Sequence, residues 1–482
     1  MSDPPDGDAH PLRWRVLRVS LVIAFVSLLD VTLVNVAVPS MRSALATDAA
    51  AIQWVVSGYS LAYGLLLVAG GALGDAFGRR PILLTGLAGY VVASAAVGFA
   101  PTIGWLIVAR LVQGACVGVL TPQAAALIQQ FFAGEERGRA FGFYGLTAAV
   151  SSIVGPLLSG SVIAFAGAEH GWRWLFLINV PMGLAALVAV LRLVPRKPAE
   201  LRRRVRIDLP GMILLGLTVL ALLYPIVTVG DGPRAGLFLL VVVPLLAFAF
   251  VRWERRTSRR GRLPLLDVAF LRTLPGYASG LGVGTLYFGG FAGLLLVLSV
   301  YLQEGRGVTA LVAGLLLTSF ALGSAISAPL TGRLVSRLRH RVVLMALSVM
   351  MTGVALVAVL VPGRPPDALW WLLPPALLVS GLGSGAVTSP NFTLSLEGVP
   401  RGMSGVAGGA LQTGNRIGAS VGAALVMTVY GVALREAGNS AAALRAALVA
   451  SLVVVGLALL IAVWGARSDR VRAPGGRIRS DR

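Results

Sequence analysis

The chain has few of the side chains that build disulfides, metal centres and charged surfaces. Among its 482 residues there are one cysteine and three histidines, and charged residues make up 13%. Cys116 alone cannot form an internal disulfide. His10, His170 and His340 fall in predicted loops or in the N-terminal tail, which excludes a histidine proton relay inside a membrane. Because soluble proteins carry about 25% charged residues, the shortage of charge excludes an ordinary soluble protein.

Long apolar runs take the place of charge. Apolar residues make up 56% of the chain, and the mean hydropathy is +0.83. Uncharged runs of about 17 to 25 residues, the length that spans a bilayer, recur from end to end and predict an all-α polytopic membrane protein. Breaking these runs at glycine, proline and charge clusters predicts fourteen membrane helices, over residues 17–39, 52–74, 81–100, 104–126, 140–162, 174–194, 209–229, 236–252, 275–302, 310–331, 342–362, 369–391, 404–430 and 444–465.

Basic residues outnumber acidic ones by 41 to 20, and the net charge is +21. In a membrane protein such an excess sets orientation, because basic residues favour cytoplasmic loops. A cytoplasmic N-terminus puts 32 basic residues inside and 7 outside and leaves only Arg110 and Arg416 within spans. We therefore expect both termini in the cytoplasm and no nucleic-acid partner. Lys197 is the only lysine, which suggests a high-GC coding sequence and hence the cytoplasmic (inner) membrane of a bacterium.

Two basic loops, residues 192–206 and 252–272, hold seven basic residues each. They divide the predicted spans into groups of six, two and six. Two six-helix halves are typical of transporters whose substrate site lies between the halves near the middle of the bilayer. The predicted units are an N-terminal half, a segment of basic loops with two inserted helices, a C-terminal half and a cytoplasmic tail, over residues 1–194, 195–272, 273–466 and 467–482.

A carboxylate interrupts the first apolar run, LLDVTLVNVAVP at residues 28–39. A charged group at this depth costs at least about 2.5 to 3.5 kcal/mol, so Asp30 is expected to have a function or a buried partner. It is the only acid that the predicted spans place deep in the membrane. Arg110, in LIVARLVQG at residues 106–114, lies about 9 Å past the outer end of its span and is a possible partner. A purely structural Arg110, satisfied by backbone carbonyls, is the alternative.

The connection between the second and third spans reads GALGDAFGRRPIL at residues 71–83. Its glycines allow helices to approach closely, and Asp75 could meet the positive N-terminal end of a neighbouring helix. This stretch resembles the signature loop of the major facilitator superfamily, although Ala76 stands where the family often has arginine. The matching stretch of the second half, residues 332–337, resembles a degenerate copy in which Ser336 replaces the acid.

Three further stretches carry the resemblance over nearly the whole chain. Residues 106–114 resemble the superfamily's second motif. SSIVGPLLSG at residues 151–160 resembles the motif of its antiporters, with serine at two positions where glycine is usual. LDVTLVNVAVP at residues 29–39 and WRWLFLINVP at residues 172–181 resemble the fourteen-span drug:proton antiporter family. The resemblance implies a major facilitator fold, no enzymatic activity, and conformational or gating roles for Gly71, Asp75, Gly78, Arg79, Arg80, Gly155 and Pro156.

A buried carboxylate can couple transport to a proton, because burial favours its neutral form and a nearby cation favours its charged form. We expect Asp30 to be the proton-coupling group and Arg110 to modulate it, with both facing the central cavity. Arg416 is expected to have a structural role near the inner end of its span, since long cations reach toward the membrane surface. The candidate substrate-cavity residues, which could instead be ordinary packing residues, are Asn35, Tyr59, Tyr63, Gln113, Tyr277, Tyr287, Phe291 and Gln412.

The sequence thus predicts a monomeric, proton-driven antiporter that exports hydrophobic or amphipathic drugs and other small molecules, with the proton as coupling ion. We expect no cofactor and no metal, and lipid and substrate as its partners. Because the second half has no acid in its apolar cores, a neutral or singly charged substrate fits better than a dication. An exporter of a metabolite, lipid or siderophore is the alternative. A membrane sensor is more distant, because no soluble domain and no interfacial cluster of histidine or carboxylate is present.

Overall fold

The computed structural model describes residues 9–47, 49–195, 208–228, 238–260, 274, 276–308, 310–400 and 403–472. Within these ranges the regular structure is helical. The helices are α1 (Ala9–Ala44), α2 (Ala49–Phe77), α3 (Arg79–Gly98), α4 (Ile103–Phe131), α5 (Gly134–Ile163), α6 (Glu169–Leu193), α7 (Leu209–Thr228), α8 (Phe238–Arg259), α9 (Tyr277–Val300), α10 (Ala310–Leu338), α11 (His340–Leu360), α12 (Pro366–Ser395), α13 (Ser404–Ala437) and α14 (Ser440–Arg472). A π-helical turn, Tyr301–Gly305, continues α9.

Helices of this kind form because lipid offers no hydrogen bonds, so each span must satisfy its own backbone groups. Of the helices in the described ranges, twelve are long and apolar enough to cross a membrane, namely all except α7 and α8. The inserted pair that the sequence predicts is present as helices. The apolar part of α7, Leu209–Leu222, is shorter than a full span. The structure therefore supports twelve of the fourteen predicted spans.

The break between α5 and α6 is centred on one glycine. The chain is helical over Gly134–Leu193 except at Gly167, whose φ of 79° and ψ of 157° leave the helical region. A positive φ is strained for residues with a Cβ and is accessible to glycine. Gly167 therefore makes the turn that the sequence predicts between the spans at 140–162 and 174–194.

The two halves meet mainly through two helix pairs, α2 with α13 and α5 with α10. Glycines make these contacts close. A Cβ added to Gly138 of α5 would lie 2.2 Å from the carbonyl oxygen of Gly332 of α10, and one added to Gly71 of α2 would lie 2.2 Å from that of Gly405 of α13. The α7–α8 pair packs outside this seam, where Val219 contacts Leu61 of α2.

We call the end of the bundle that carries the α2–α3 turn the inner end, which the charge pattern predicts to be cytoplasmic. Here the halves are joined. Gln129 Nε2 donates to the carbonyl oxygen of Leu396 at 2.8 Å, and Ser389 Oγ donates to that of Gly138 at 3.2 Å. The rings of Phe141 and Phe392 pack 5.8 Å apart across the same seam. The structure therefore has its inner end closed.

Candidate functional site

A buried ion pair links α1 to α4. Nη1 of Arg110 lies 2.9 Å from Oδ2 of Asp30, and the two side chains are 1% and 0% exposed. They are 80 residues apart in the chain. The structure thus brings together the carboxylate and the cation that the sequence singled out.

Two amides complete the coordination of Asp30. Gln113 Nε2 donates to Asp30 Oδ1 at 3.1 Å and to Ser94 Oγ at 2.9 Å, and Asn179 Nδ2 donates to Asp30 Oδ1 at 2.8 Å. Arg110 and Gln113 are three residues apart on one face of α4, which lets both reach the same carboxylate. The network joins α1, α3, α4 and α6. Sequence reasoning missed Ser94, and it quoted Asn179 only within a motif.

Arg110 has acceptors besides Asp30. Its Nη1 donates to Gln113 Oε1 at 2.7 Å, and its Nε donates to the carbonyl oxygen of Val55 at 3.3 Å. Its guanidinium carbon lies 4.0 Å from the ring centroid of Tyr59 and 5.4 Å from that of Phe176. A guanidinium held this way keeps favourable partners if Asp30 loses its charge.

The ion pair is enclosed within the N-terminal half. The expectation that Asp30 and Arg110 face the central cavity is wrong for this conformation, because their partners come from α1 to α4 and α6 and almost no surface is exposed. Gln113, a candidate for the substrate cavity, is 0% exposed and belongs to this network. The helices turn these polar groups toward one another because a buried charge must be paired.

The stretch of α5 that resembles the antiporter motif lies against α1 beside Asp30. Thr32 Oγ1 donates to the carbonyl oxygen of Ser151 at 3.2 Å, and Ser159 Oγ donates to that of Leu33 at 2.9 Å. A Cβ added to Gly155 would lie 2.0 Å from Thr32 Oγ1, so only glycine fits there. The side chains of two other predicted residues, Asn35 and Pro156, lie outside the described part of the structure.

The signature stretch makes a second polar centre at the inner end. The sequence predicts Asp75 in a loop, but it lies in the last turn of α2, because α2 ends at Phe77 and α3 begins at Arg79. Gly78, with a φ of 92°, is the residue between them. The family-like glycine is required at this one-residue turn.

Asp75 reaches across to the other half. Its two carboxylate oxygens accept hydrogen bonds from the backbone N–H groups of Gly405 and Val406, at 3.2 and 3.0 Å, at the start of α13. Its Oδ1 also lies 2.6 Å from Nη2 of Arg79. This is the favourable meeting of a carboxylate with a helix N-terminus that the sequence predicts.

Arg79 extends the same contact. It donates to Ser404 Oγ in the other half at 2.7 Å and to Gln123 Oε1 of α4 at 3.2 Å. Arg80 points elsewhere and donates to the carbonyl oxygen of Leu191 at 2.7 Å. We call the set formed by Asp75, Arg79, Ser404, Gly405 and Val406 the inner contact. The geometry is that of a link between the halves, while the gating role of these residues stays a prediction.

Arg416 lies deeper than expected. The sequence predicts it near the inner end of its span, but α13 begins at Ser404, so Arg416 lies about 18 Å along the helix. Its guanidinium carbon is 3.9 Å from the ring centroid of Tyr63 in the other half. The rings of Tyr63 and Tyr59 are 6.1 Å apart. Arg416 therefore contacts one candidate cavity residue, Tyr63, across the seam between the halves, and Tyr59 lies next to that tyrosine.

The other candidates are dispersed in the second half. Tyr277 donates to the carbonyl oxygen of Ala407 at 2.9 Å. The hydroxyl of Tyr287 lies 2.6 Å from that of Ser384, and its ring lies 6.1 Å from that of Phe291. Gln412 is one turn before Arg416 on α13. Among the described residues, no group of three or more potential metal ligands occurs.

Known proteins resemble this chain in sequence over most of its length. The family profile described as Major Facilitator Superfamily matches residues 20–423. The chain is 35% identical over 481 residues to the puromycin resistance protein pur8 of Streptomyces alboniger, covering 96% of this chain and 93% of that one. It is 32% identical over 434 residues to the probable actinorhodin transporter of Streptomyces coelicolor, covering 88% and 75%.

A solved structure matches over almost the full length. The human organic anion transporter MFSD10 (TETRAN) superposes with a TM-score of 0.67 and 18% identity, covering 95% of this chain and 100% of that one. At this identity the likeness concerns the fold alone.

Proposed function

The chain belongs to the major facilitator superfamily, whose members are transporters rather than enzymes, and we propose that it is a proton-coupled antiporter exporting hydrophobic or amphipathic antibiotics and related small molecules. Relatives named for puromycin resistance and for actinorhodin transport support this substrate class. The observation that carries the proton coupling is the fully buried carboxylate of Asp30, held by three side-chain donors.

The residues around Asp30 can accommodate both the ionised and the protonated carboxyl group. When Asp30 is ionised, Arg110, Gln113 and Asn179 hold α1 against α4 and α6. When a proton binds, the Coulomb attraction to Arg110 is lost, while Arg110 keeps the carbonyl of Val55 and its aromatic neighbours. The helices are then free to separate without stranding a cation. Protonation of Asp30 would in this way favour one arrangement of α1 and α4 over the other.

One helix connects this network with the inner contact. Arg110 lies on α4 about 20 Å from Gln123, which accepts a hydrogen bond from Arg79 and donates one to the carbonyl oxygen of Gly70. Gln129, two turns further on, bonds to the second half. A displacement of α4 that follows protonation would therefore be transmitted to the closed inner end. We infer that α4 is the mechanical link between proton binding and opening.

The finer architecture is part of the same proposal. We infer that α7 and α8 cross the membrane as an inserted pair, giving the fourteen-span antiporter type, with both termini in the bacterial cytoplasm and a monomeric transport unit. In support, Trp253 Nε1 donates to Asp208 Oδ1 at 2.9 Å and ties α8 to the residue before α7 at the inner end. The pair packs against α2.

Export from proteoliposomes under an imposed pH gradient tests the proposal. We expect the wild type to accumulate a lipophilic fluorescent dye against its gradient and Asp30→Asn to fall to the background leak. Glu397→Gln is the control, because it neutralises an exposed acid that pairs with Arg339 at 2.8 Å on the surface. Full gradient-driven transport by Asp30→Asn would refute the coupling role. A substrate panel in the same assay separates drugs from metabolites, lipids and siderophores.

A further inference from the structure

Arg416 is a cation without a counter-ion in the middle of α13. Among the described residues it makes no hydrogen bond and no ion pair, and it lies over the ring of Tyr63. Arg110, the other arginine at membrane depth, has a carboxylate, an amide and a carbonyl as acceptors. A structural arginine inside a membrane protein is normally satisfied as Arg110 is. Arg416 is therefore available to an acceptor from outside the chain.

A second donor on the same helix face also lacks an acceptor. Gln412, one turn before Arg416, is 8% exposed, and its Nε2 has no hydrogen-bond partner among the described residues. Gly408, a further turn back, faces Ala125 of α4, since a Cβ added there would lie 3.9 Å from that residue. This face of α13 is thus turned toward the N-terminal half. Two unsatisfied donors lie together between the halves.

Aromatic side chains lie on the facing half beside Arg416. Tyr63 and Tyr144, on α2 and α5, are 3% and 9% exposed, and both are close enough to Arg416 to interact with it electrostatically. Neither is an acid. The nearest acids of the network and of the inner contact, Asp30 and Asp75, are each neutralised by their own arginine. The region around Arg416 therefore carries a positive charge beside aromatic rings.

The location fits a substrate site. Arg416 lies about 16 Å along α13 from Gly405, the residue of the inner contact that bonds to Asp75. Separation of the halves at the inner contact would uncover this face to the cytoplasm. A ligand held there would touch both halves, as a transported substrate must.

We propose that this site binds a small aromatic anion, whose carboxylate or phenolate accepts hydrogen bonds from Arg416 and Gln412 while its ring packs against the tyrosines. The proposal rests on the proposed export function and names the charge class of its substrate. It sharpens the expectation of a neutral or singly charged substrate to a negatively charged one.

Equilibrium binding to purified protein, without any gradient, tests the charge preference. The probes are fluorescein and rhodamine 123, xanthene dyes of opposite charge, followed by fluorescence anisotropy. We expect the wild type to bind fluorescein at least about tenfold more tightly, and Arg416→Gln to lose about tenfold in fluorescein affinity while its rhodamine affinity is unchanged. Arg416→Lys should retain part of the preference. Tighter wild-type binding of rhodamine, or an equal loss for both dyes in Arg416→Gln, would overturn the proposal.

A second variant and an anion titration distinguish the remaining outcomes. Gln412→Leu removes the unpaired N–H at similar volume and should also weaken fluorescein selectively, which serves if Arg416→Gln does not fold. Titration of the protein with chloride, with gluconate as the reference anion, tests whether the site binds an inorganic anion instead of an organic one. A site that binds chloride but not fluorescein would overturn the proposal. Because binding needs no gradient, a failure of proton-driven export would leave the fluorescein preference intact, whereas export of rhodamine alone would refute only the anion site.

Discussion

Two buried ion pairs in the described part of this transporter are built from the same residue types and differ in what they join. Asp30 and Arg110 lie within one half, with 0% and 1% exposure. Asp75 and Arg79 are four residues apart on neighbouring helices, and both also bond to the first residues of α13 in the other half. Among the described residues, the first pair has its partners within its own half, whereas the second loses its bonds to α13 when the halves separate. One is suited to sensing the proton and the other to holding a conformation.

The two acids also differ in what holds them. Backbone N–H groups of Gly405 and Val406 bind Asp75, so its contact depends on the position of a helix end. The described partners of Asp30 are the side chains of Arg110, Gln113 and Asn179, so its contacts depend on side-chain positions instead. Substitutions at the two pairs and beside them should therefore affect stability and transport differently.

Arg110→Gln should have the largest effect on stability. It leaves the buried carboxylate of Asp30 without its cation, which costs about 3 to 5 kcal/mol in the free energy of unfolding. We expect a lowered melting temperature of the purified protein and loss of export. Asp30→Asn in the same chain should recover most of the stability, because no charge is then left unpaired. Equal instability of the single and double variants would show that the pair is not coupled.

The sequence predicts this deep pair well because charge in an apolar helix is rare enough to demand a partner. The signature stretch likewise predicts the meeting of Asp75 with a helix end. Asn179 and Ser94 could not be assigned, since spans that are apolar on every side carry no periodic signal of which face turns inward. The depth of Arg416 depended on where α13 begins, and a run rich in glycine left that point ambiguous. The turn at Gly167 could be predicted, because it required only that a break between two apolar runs be recognised.

Gly405→Ala should weaken the inner contact by a smaller amount. A Cβ at this position would lie 2.5 Å from the carbonyl oxygen of Gly71, so the halves must move apart, at a cost of about 1 to 3 kcal/mol. We expect faster thiol labelling of Phe141→Cys, a residue of the closed seam, in a Cys116→Ala background. Gly104→Ala is the matched control, because a Cβ there meets nothing within 4 Å. Unchanged labelling in Gly405→Ala would mean that the seam does not depend on this approach.

Ser94→Ala should have the smallest effect. It removes one acceptor of Gln113 Nε2, which keeps its bond to Asp30. The expected loss is about 0.5 to 1.5 kcal/mol in the free energy of unfolding, with export retained. Thermal unfolding with and without Asp30→Asn measures it. A loss of export as complete as that of Asp30→Asn would move the centre of the network from the ion pair to the amides.

The central claim is that Asp30 couples to the proton while Asp75 holds the conformation. Transport by Asp30→Asn and Asp75→Asn, measured in the same proteoliposomes as pH-gradient-driven export and as substrate exchange without a gradient, tests it most directly. Asp30→Asn should lose gradient-driven export and keep exchange, and Asp75→Asn should slow both by a similar factor. Gradient-driven export that survives in Asp30→Asn, or is lost selectively in Asp75→Asn, would contradict the account.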